Sequence, residues 1–162
     1  MPYLISREQA VARVTRERGA DCLICELRER ADESGLLLHR DGYTTVLLSR
    51  YPRQWGHILV LLDQHCTRFA ELPPGVWSAV SAASHRAARM LERALQPARC
   101  YIASLGSARE DLPMSSPHLH MHVIPIADAD ARPAEIFSWQ RGVYDAPPDE
   151  WRALRELLLD HW

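Results

Sequence analysis

Lysine is absent from this chain: all nineteen basic side chains among its 162 residues are arginine. Arginine is therefore the only permanent side-chain cation available to meet an anion. Its forked donors suit phosphate oxygens, although genomic bias produces such a surplus as readily as function does. Net charge is nearly absent too. Nineteen basic against twenty-one acidic residues give a formal charge of -2, so no strong field draws the chain to nucleic acid or to a membrane surface. No apolar run reaches the length that crosses a bilayer. The opening residues, Met1-Pro2-Tyr3-Leu4-Ile5-Ser6-Arg7, lack the charged start and long apolar stretch of a secretion signal, which makes the cytoplasm the expected location. In that reducing compartment the four cysteines, Cys22, Cys25, Cys66 and Cys100, stay free. The close pair Cys22 and Cys25 then reads as a metal knuckle or a redox pair rather than a disulfide. Internal repeats and low-complexity stretches are also lacking. A length of 162 residues is too short for two comfortable domains, so one domain spanning 1–162 is expected.

What is present is a row of histidines, His118, His120 and His122, at alternate positions between Pro117 and Pro125. Side chains on a strand alternate faces, so the three imidazoles project to one side and Leu119, Met121 and Val123 to the other. A solvated strand is a poor explanation, because the opposite face is apolar throughout and the two prolines bracket the run like strand ends. Imidazole ligates metals, moves protons near neutral pH and attacks phosphorus, so a wall of three points to chemistry.

The surrounding elements follow from local signals. Ser6 with Gln9 three residues later is a capping-box pattern, and Ala10, Val11 and Val14 supply the apolar stripe of a helix over 6–18. Strand-like runs at 35–39 and 43–48 flank Asp41-Gly42, a hairpin signal, and a third strand is expected at 57–62. Pro73-Pro74-Gly75 opens a long helix over 76–95, in which Val76, Val80, Ala83, Ala87 and Leu91 recur at helical spacing. A strand over 100–105, a polar loop over 106–117 and the histidine strand come next. The stretch 126–148 has little periodicity, and a final helix over 148–161 carries a Trp151, Leu154, Leu158 stripe. This order predicts an α+β fold, with a mainly antiparallel five-stranded sheet, one long helix packed on it and additional N- and C-terminal helices.

Cys22 and Cys25 stand at zinc-knuckle spacing and need two further ligands to close a tetrahedral site. Histidines are the candidates; among the eight, His65 follows the third strand and His118 opens the histidine strand. A redox dithiol or two unrelated buried cysteines are the alternatives, the first weakened because a helix precedes the pair where thioredoxin-type pairs follow a strand. Cys66 and Cys100 read as small core residues.

The segment His118-Leu119-His120-Met121-His122-Val123-Ile124 resembles the His-x-His-x-His motif of the histidine triad (HIT) superfamily of nucleotide hydrolases and transferases. Pro52-Arg53-Gln54-Trp55-Gly56-His57-Ile58-Leu59-Val60, followed by His65 and Phe69-Ala70-Glu71-Leu72, is similar to that superfamily's third-strand motif. Cys22-Leu23-Ile24-Cys25 is similar to the knuckle of its zinc-containing members. Met114-Ser115-Ser116-Pro117-His118-Leu119-His120 further resembles a segment of galactose-1-phosphate uridylyltransferase. The likeness covers a core of about 21–126 and leaves an extension, 127–162, without a counterpart.

The resemblance implies structural zinc held by Cys22, Cys25, His65 and His118, a nucleophile at His120, and a phosphate-facing or strand-orienting role for His122. It implies that Ser115, with Ser116 as second candidate, supplies a hydroxyl or amide to phosphate oxygens. A nucleotide-like small molecule is the expected ligand and a homodimer the expected assembly. Two departures stand out. Ser49 occupies the position where many members carry a ribose-binding aspartate, and an asparagine and a glutamine are missing from the loop before the triad. In that loop Arg109 is a phosphate-binding candidate or a solvated side chain, and His57 reads as a histidine anchoring its strand. Phe137, Trp139 and Tyr144 are expected chiefly as core packing. The competing readings are a three-histidine metalloenzyme and a nucleotide-binding protein without turnover.

Overall fold

A computed structural model describes residues 1–109 and 111–162. Five antiparallel strands form the central sheet, in the order β2-β3-β4-β6-β5. β2 (Leu37–Arg40) and β3 (Thr44–Leu48) make the expected hairpin. The Asp41 carboxylate accepts from the Tyr43 and Thr44 amides at 2.7 and 2.8 Å, a local turn that sets the reversal. β4 (Ile58–Leu62) pairs with β3 along its whole length, and every residue of both strands is buried. Its unbroken Ile-Leu-Val-Leu-Leu run, without polar alternation, is what a strand covered on both faces requires.

One of those covers is α3 (Pro74–Leu95), opened by proline at its first turn and burying Val80, Ala83, Ala87, Met90 and Leu91. Its end lies so close to the start of β4 that a Cβ on Gly56, at φ +93°, would fall 2.6 Å from the Leu95 side chain. β5 (Arg99–Ala103) forms one edge of the sheet, beside β6 (His120–Ile126). The histidine strand thus differs from the expected one: it begins at His120, leaving His118 in the preceding loop, and it runs through Pro125. Proline is tolerated there because the register between β4 and β6 ends at Ile58 opposite Val123, so beyond that point no β4 partner asks for an N–H.

α1 (Arg7–Glu17) starts at Ser6 with both halves of the capping box formed. α2 (Leu23–Glu29), not expected from the sequence, starts directly at the cysteine pair. The weakly patterned stretch after β6 holds α4 (Pro133–Ile136) and β7 (Val143–Asp145), and α5 (Pro148–Leu159) packs on α3 and β2. β7 pairs with β1 (Tyr3–Ile5), far away in sequence. Asp145 fastens this junction: its carboxylate accepts from Arg13 at 2.5 Å, Arg50 at 3.0 Å, the Ala146 amide at 2.9 Å and Trp151 Nε1 at 3.4 Å. Against burial, which would raise it, these donors hold the Asp145 pKa at about 2. No helix among the described residues is long and apolar enough to cross a membrane.

Candidate active site

The sequence-predicted metal residues come together. Sγ of Cys22 and of Cys25 each lie 3.4 Å from His118 Nδ1, and Sγ of Cys25 lies 3.4 Å from His65 Nδ1. All four ligand atoms fall within 4.8 Å of one another, the one such group among the described residues. Tetrahedral zinc at ordinary bond lengths separates a sulfur and a nitrogen ligand by roughly 3.5 Å, so the donor set fits in kind and in spacing. The fold supplies the geometry: Cys22 caps α2, its sulfur accepting from the Cys25 amide at 3.4 Å, and the Leu119 amide donates to the Cys66 carbonyl at 2.7 Å, holding the loop before β6 against the segment after β4.

The thiols themselves ask for a cation. Burial and the neighbouring Cys22 sulfur push Cys25 up to about 11, while Cys22, despite its burial, is drawn below its ordinary value by donors including the Cys25 amide and the Ser116 hydroxyl. Two adjacent thiols therefore resist ionising together unless a metal compensates them. Burial, reinforced by His65, lowers His118 to about 4, which keeps its ring a neutral donor.

Along the rest of the row, hydrogen bonds assign the protons. His120 Nδ1 lies 2.7 Å from the His118 carbonyl, which can only accept; Nδ1 carries the proton and Nε2 keeps a lone pair. Burial lowers the His120 pKa, partly offset by that carbonyl, so the ring is neutral. Behind it, the Arg53 amide donates to His57 Nδ1 at 3.3 Å, which leaves the His57 proton on Nε2. That proton is donated to His122 Nδ1 at 2.9 Å, and Arg53 Nη1 donates to the same nitrogen at 3.0 Å. With Nδ1 of His122 accepting, its proton sits on Nε2. Burial above all, and then neighbouring positive charge, push both His57 and His122 well below the ordinary histidine value. The three triad rings thus spend their nitrogens on different partners and do not converge on one metal.

His120, His122, Ser49, Ser115 and Arg53 line a small cleft of about 60 Å³, in which Trp139 and Tyr51 also take part. It adjoins a groove of about 350 Å³ bordered by Val14, Leu23, Leu27, Leu47 and Tyr51. Gly106 is indispensable beside it: a Cβ there would meet the Ser116 carbonyl at 2.5 Å and the His120 ring at 3.2 Å.

The remaining candidates are placed as follows. The Ser115 hydroxyl accepts from the Ser107 amide at 2.8 Å, and its proton is free to point at a ligand. Ser116 is buried, with its hydroxyl 3.6 Å from Cys22 Sγ and accepting from the His118 amide at 3.3 Å; it borders the cleft and the knuckle at once. Arg109 is solvated, its guanidinium bound to Asp111 at 2.9 and 2.5 Å, and does not line the cleft. The aromatic trio divides: Trp139 lines the cleft with its ring 5.7 Å from Tyr51, Phe137 packs on Tyr101, and Tyr144 lies in β7 with its amide on the Pro52 carbonyl. Reading the sequence missed Arg53, which sits within the quoted third-strand motif, and ranked packing over the site below core packing for Trp139, which lines the cleft. No local pattern announces either, because burial of the one and approach of the other are tertiary facts.

A group of two cysteines and two histidines able to hold a metal, at one end of a histidine row on an antiparallel sheet with one long covering helix, defines the class of α+β domain. The chain belongs to the HIT domain family, which residues 30–128 match. Over 139 residues it is 27% identical to an AP-4-A phosphorylase of Mycobacterium tuberculosis, a match spanning 85% of this chain and 68% of that protein. Its structure is similar to that of a Zn-bound histidine triad family protein from Mycobacterium smegmatis, with TM-score 0.63 and 23% identity over 86% of this chain and 94% of that one. A diadenosine triphosphate hydrolase of Plasmodium falciparum superimposes with TM-score 0.59 and 13% identity over 78% of this chain and 76% of that one. At such identities the two solved structures speak to the fold.

Proposed function

We propose that this protein is a nucleotide hydrolase or nucleotidyl transferase acting at a phosphoanhydride or phosphoramidate through a covalent nucleotidyl-His120. The observation that carries the reading is the 2.7 Å bond from His120 Nδ1 to the His118 carbonyl, which leaves Nε2 unprotonated on a ring that lines the cleft. Nε2 attacks phosphorus, a nitrogen–phosphorus bond forms and the bond to the leaving group breaks, its electron pair departing with that group. An acceptor oxygen then attacks the same phosphorus, the nitrogen–phosphorus bond breaks and the acceptor's proton is released. The Nε2–H of His122 and the Ser115 hydroxyl are the donors for the phosphate oxygens as charge develops. Polyphosphate chemistry in the named relatives, a phosphorylase and a hydrolase, supports the class.

Zinc on Cys22, Cys25, His65 and His118 would be structural, since four protein ligands leave no position for substrate. The Zn-bound relative supports that assignment. The adjoining groove, apolar on one side, would take the nucleoside, with Ser49 in the small cleft next to it. The whole chain would act as one domain, because β1 and β7 tie its two flanks together. It would work in the cytoplasm as a homodimer, for which the open edge strand β5, with Ile102 exposed, offers a surface.

Incubation with radiolabelled adenosine phosphoramidate or diadenosine tetraphosphate, followed by denaturation, is expected to leave an acid-labile, base-stable label on the wild type and none on His120→Ala. Ser49 in place of an acid favours the alternative of nucleotide binding without turnover. A wild type that binds nucleotide tightly, turns over none of the phosphoramidates, dinucleoside polyphosphates or nucleotide sugars, and traps no label would establish that alternative.

A further inference from the structure

Arg53 is the one group in the cleft whose charge has no answer. Its guanidinium lies largely buried beneath the histidine row, with Nη1 on His122 and Nε buried without any hydrogen-bond partner. No carboxylate among the described residues pairs with it. The contrast is local: Arg50, three positions earlier, and Arg13 both bind Asp145. The His122 ring is its one side-chain hydrogen-bond partner among the described residues, and His57 and His120 stand beside that ring. Burial lowers Arg53 itself only to about 10, so it stays charged at neutral pH. A cation taken out of water without a counterion is unfavourable, and an anion brought from outside the chain would compensate it.

We infer that Arg53 is the anion clamp of this cleft, taking the negatively charged non-bridging oxygens of the phosphoryl group presented to His120, so that the site selects ligands by the charge on phosphorus. For the identity of that phosphorus the assignment rests on the nucleotidyl-transfer reading above; the demand for an anion stands on Arg53 alone. Nη1 is spent on His122 and Nε is sealed from solvent, so Nη2, which has no hydrogen-bond partner among the described residues, is the donor left to reach a phosphate oxygen from a permanently charged, planar group. The cleft, about 60 Å³, has room for a group of a few heavy atoms, which suits a phosphoryl group and leaves the nucleoside to the neighbouring groove.

Calorimetric titration with AMP, inorganic phosphate and adenosine tests this on wild type, Arg53→Met, Arg53→Lys and His120→Ala. Arg53→Met is expected to bind AMP about 10- to 100-fold more weakly, the range of a charge-assisted pair, with adenosine binding unchanged and inorganic phosphate binding lost. Arg53→Lys falls between. Ligand-free Arg53→Met is expected to melt at the wild-type temperature or above it, because an uncompensated buried charge has been removed. Unchanged AMP affinity in a folded Arg53→Met, or a drop in its melting temperature with affinity intact, would make Arg53 a structural residue and end the proposal. Should that variant not fold, the wild type alone decides: the uncharged dimethyl ester of AMP is expected to bind at least about 10-fold more weakly than AMP, and equal affinity overturns the clamp. His120→Ala separates the two readings. Retained AMP discrimination with no label trapped on any form upholds the clamp and removes the covalent step. Equal labelling rates for wild type and Arg53→Met remove the clamp and keep the covalent step.

Discussion

The two ends of the histidine row are built on opposite terms. At the His118 end two thiols and two imidazoles face one another at 3.4 Å and can be completed by a single cation, after which nothing there remains to react. At the His122 end a chain of donors runs from the Arg53 amide through His57 to His122, and a guanidinium stays uncompensated. His120 sits between, its Nδ1 tied to the residue that anchors the first end and its ring 4.8 Å from the first ring of the second. One end is closed and gives rigidity. The other is open and leaves a cation to be met, and the His120 ring takes its orientation from the closed side.

Substitutions can break that contrast in graded ways. His120→Ala should lower turnover by about 10⁴-fold while leaving the melting temperature within a degree or two, since the ring holds no structural partner beyond one carbonyl. Cys25→Ala should show the inverse pattern: bound zinc falls from one equivalent to none in metal analysis, and the melting temperature drops by about 10 °C or more, because metal binding and folding are coupled. A zinc-free wild type with normal stability would erase the distinction between the two ends.

Asp145→Ala probes a charge that is paired, as Arg53 is not, and should destabilise by about 3 kcal/mol in urea, leaving Arg13 and Arg50 without their shared acceptor. Because the Asp145 pKa is held at about 2, below its ordinary value of 3.8, its contribution is complete above pH 4 and is lost as pH falls toward 2. The gap between wild type and Asp145→Asn should close over that window, and a gap that persisted at pH 2 would refute the assignment. Gly106→Ala should reduce kcat by roughly 10-fold and lower the melting temperature as well, because its Cβ would meet the Ser116 backbone carbonyl at 2.5 Å, which no side-chain movement relieves, and would press on the His120 ring.

Where information was local, the sequence disclosed it. The capping box at Ser6, the Asp41-Gly42 reversal, the 3.6-residue stripe of α3 and the knuckle spacing each need only a few neighbouring residues, and each formed as read. The parts that stayed hidden are those that distant segments create. β1 and β7 are three residues each, too short to show a period, and exist because they find one another. α2 went unread because its first turn is also the knuckle. The histidine strand starts late because His118 leaves the ladder to reach the cysteines, a demand that alternation alone does not reveal. Arg53 looks like any arginine in a loop, and Arg109, in the loop where a phosphate ligand was sought, is instead bound to Asp111.

The pairing of β1 with β7 also sets an order of events during synthesis. The second partner emerges about 140 residues after the first, which at ribosomal speeds is on the order of 10–30 s, and Trp139, beside the cleft, arrives in the same late stretch. Through that interval the nascent polypeptide carries its first strand unmated. Chaperone protection of Tyr3–Ile5 on the ribosome, released once Val143–Asp145 has left the exit tunnel, is the behaviour such a topology calls for.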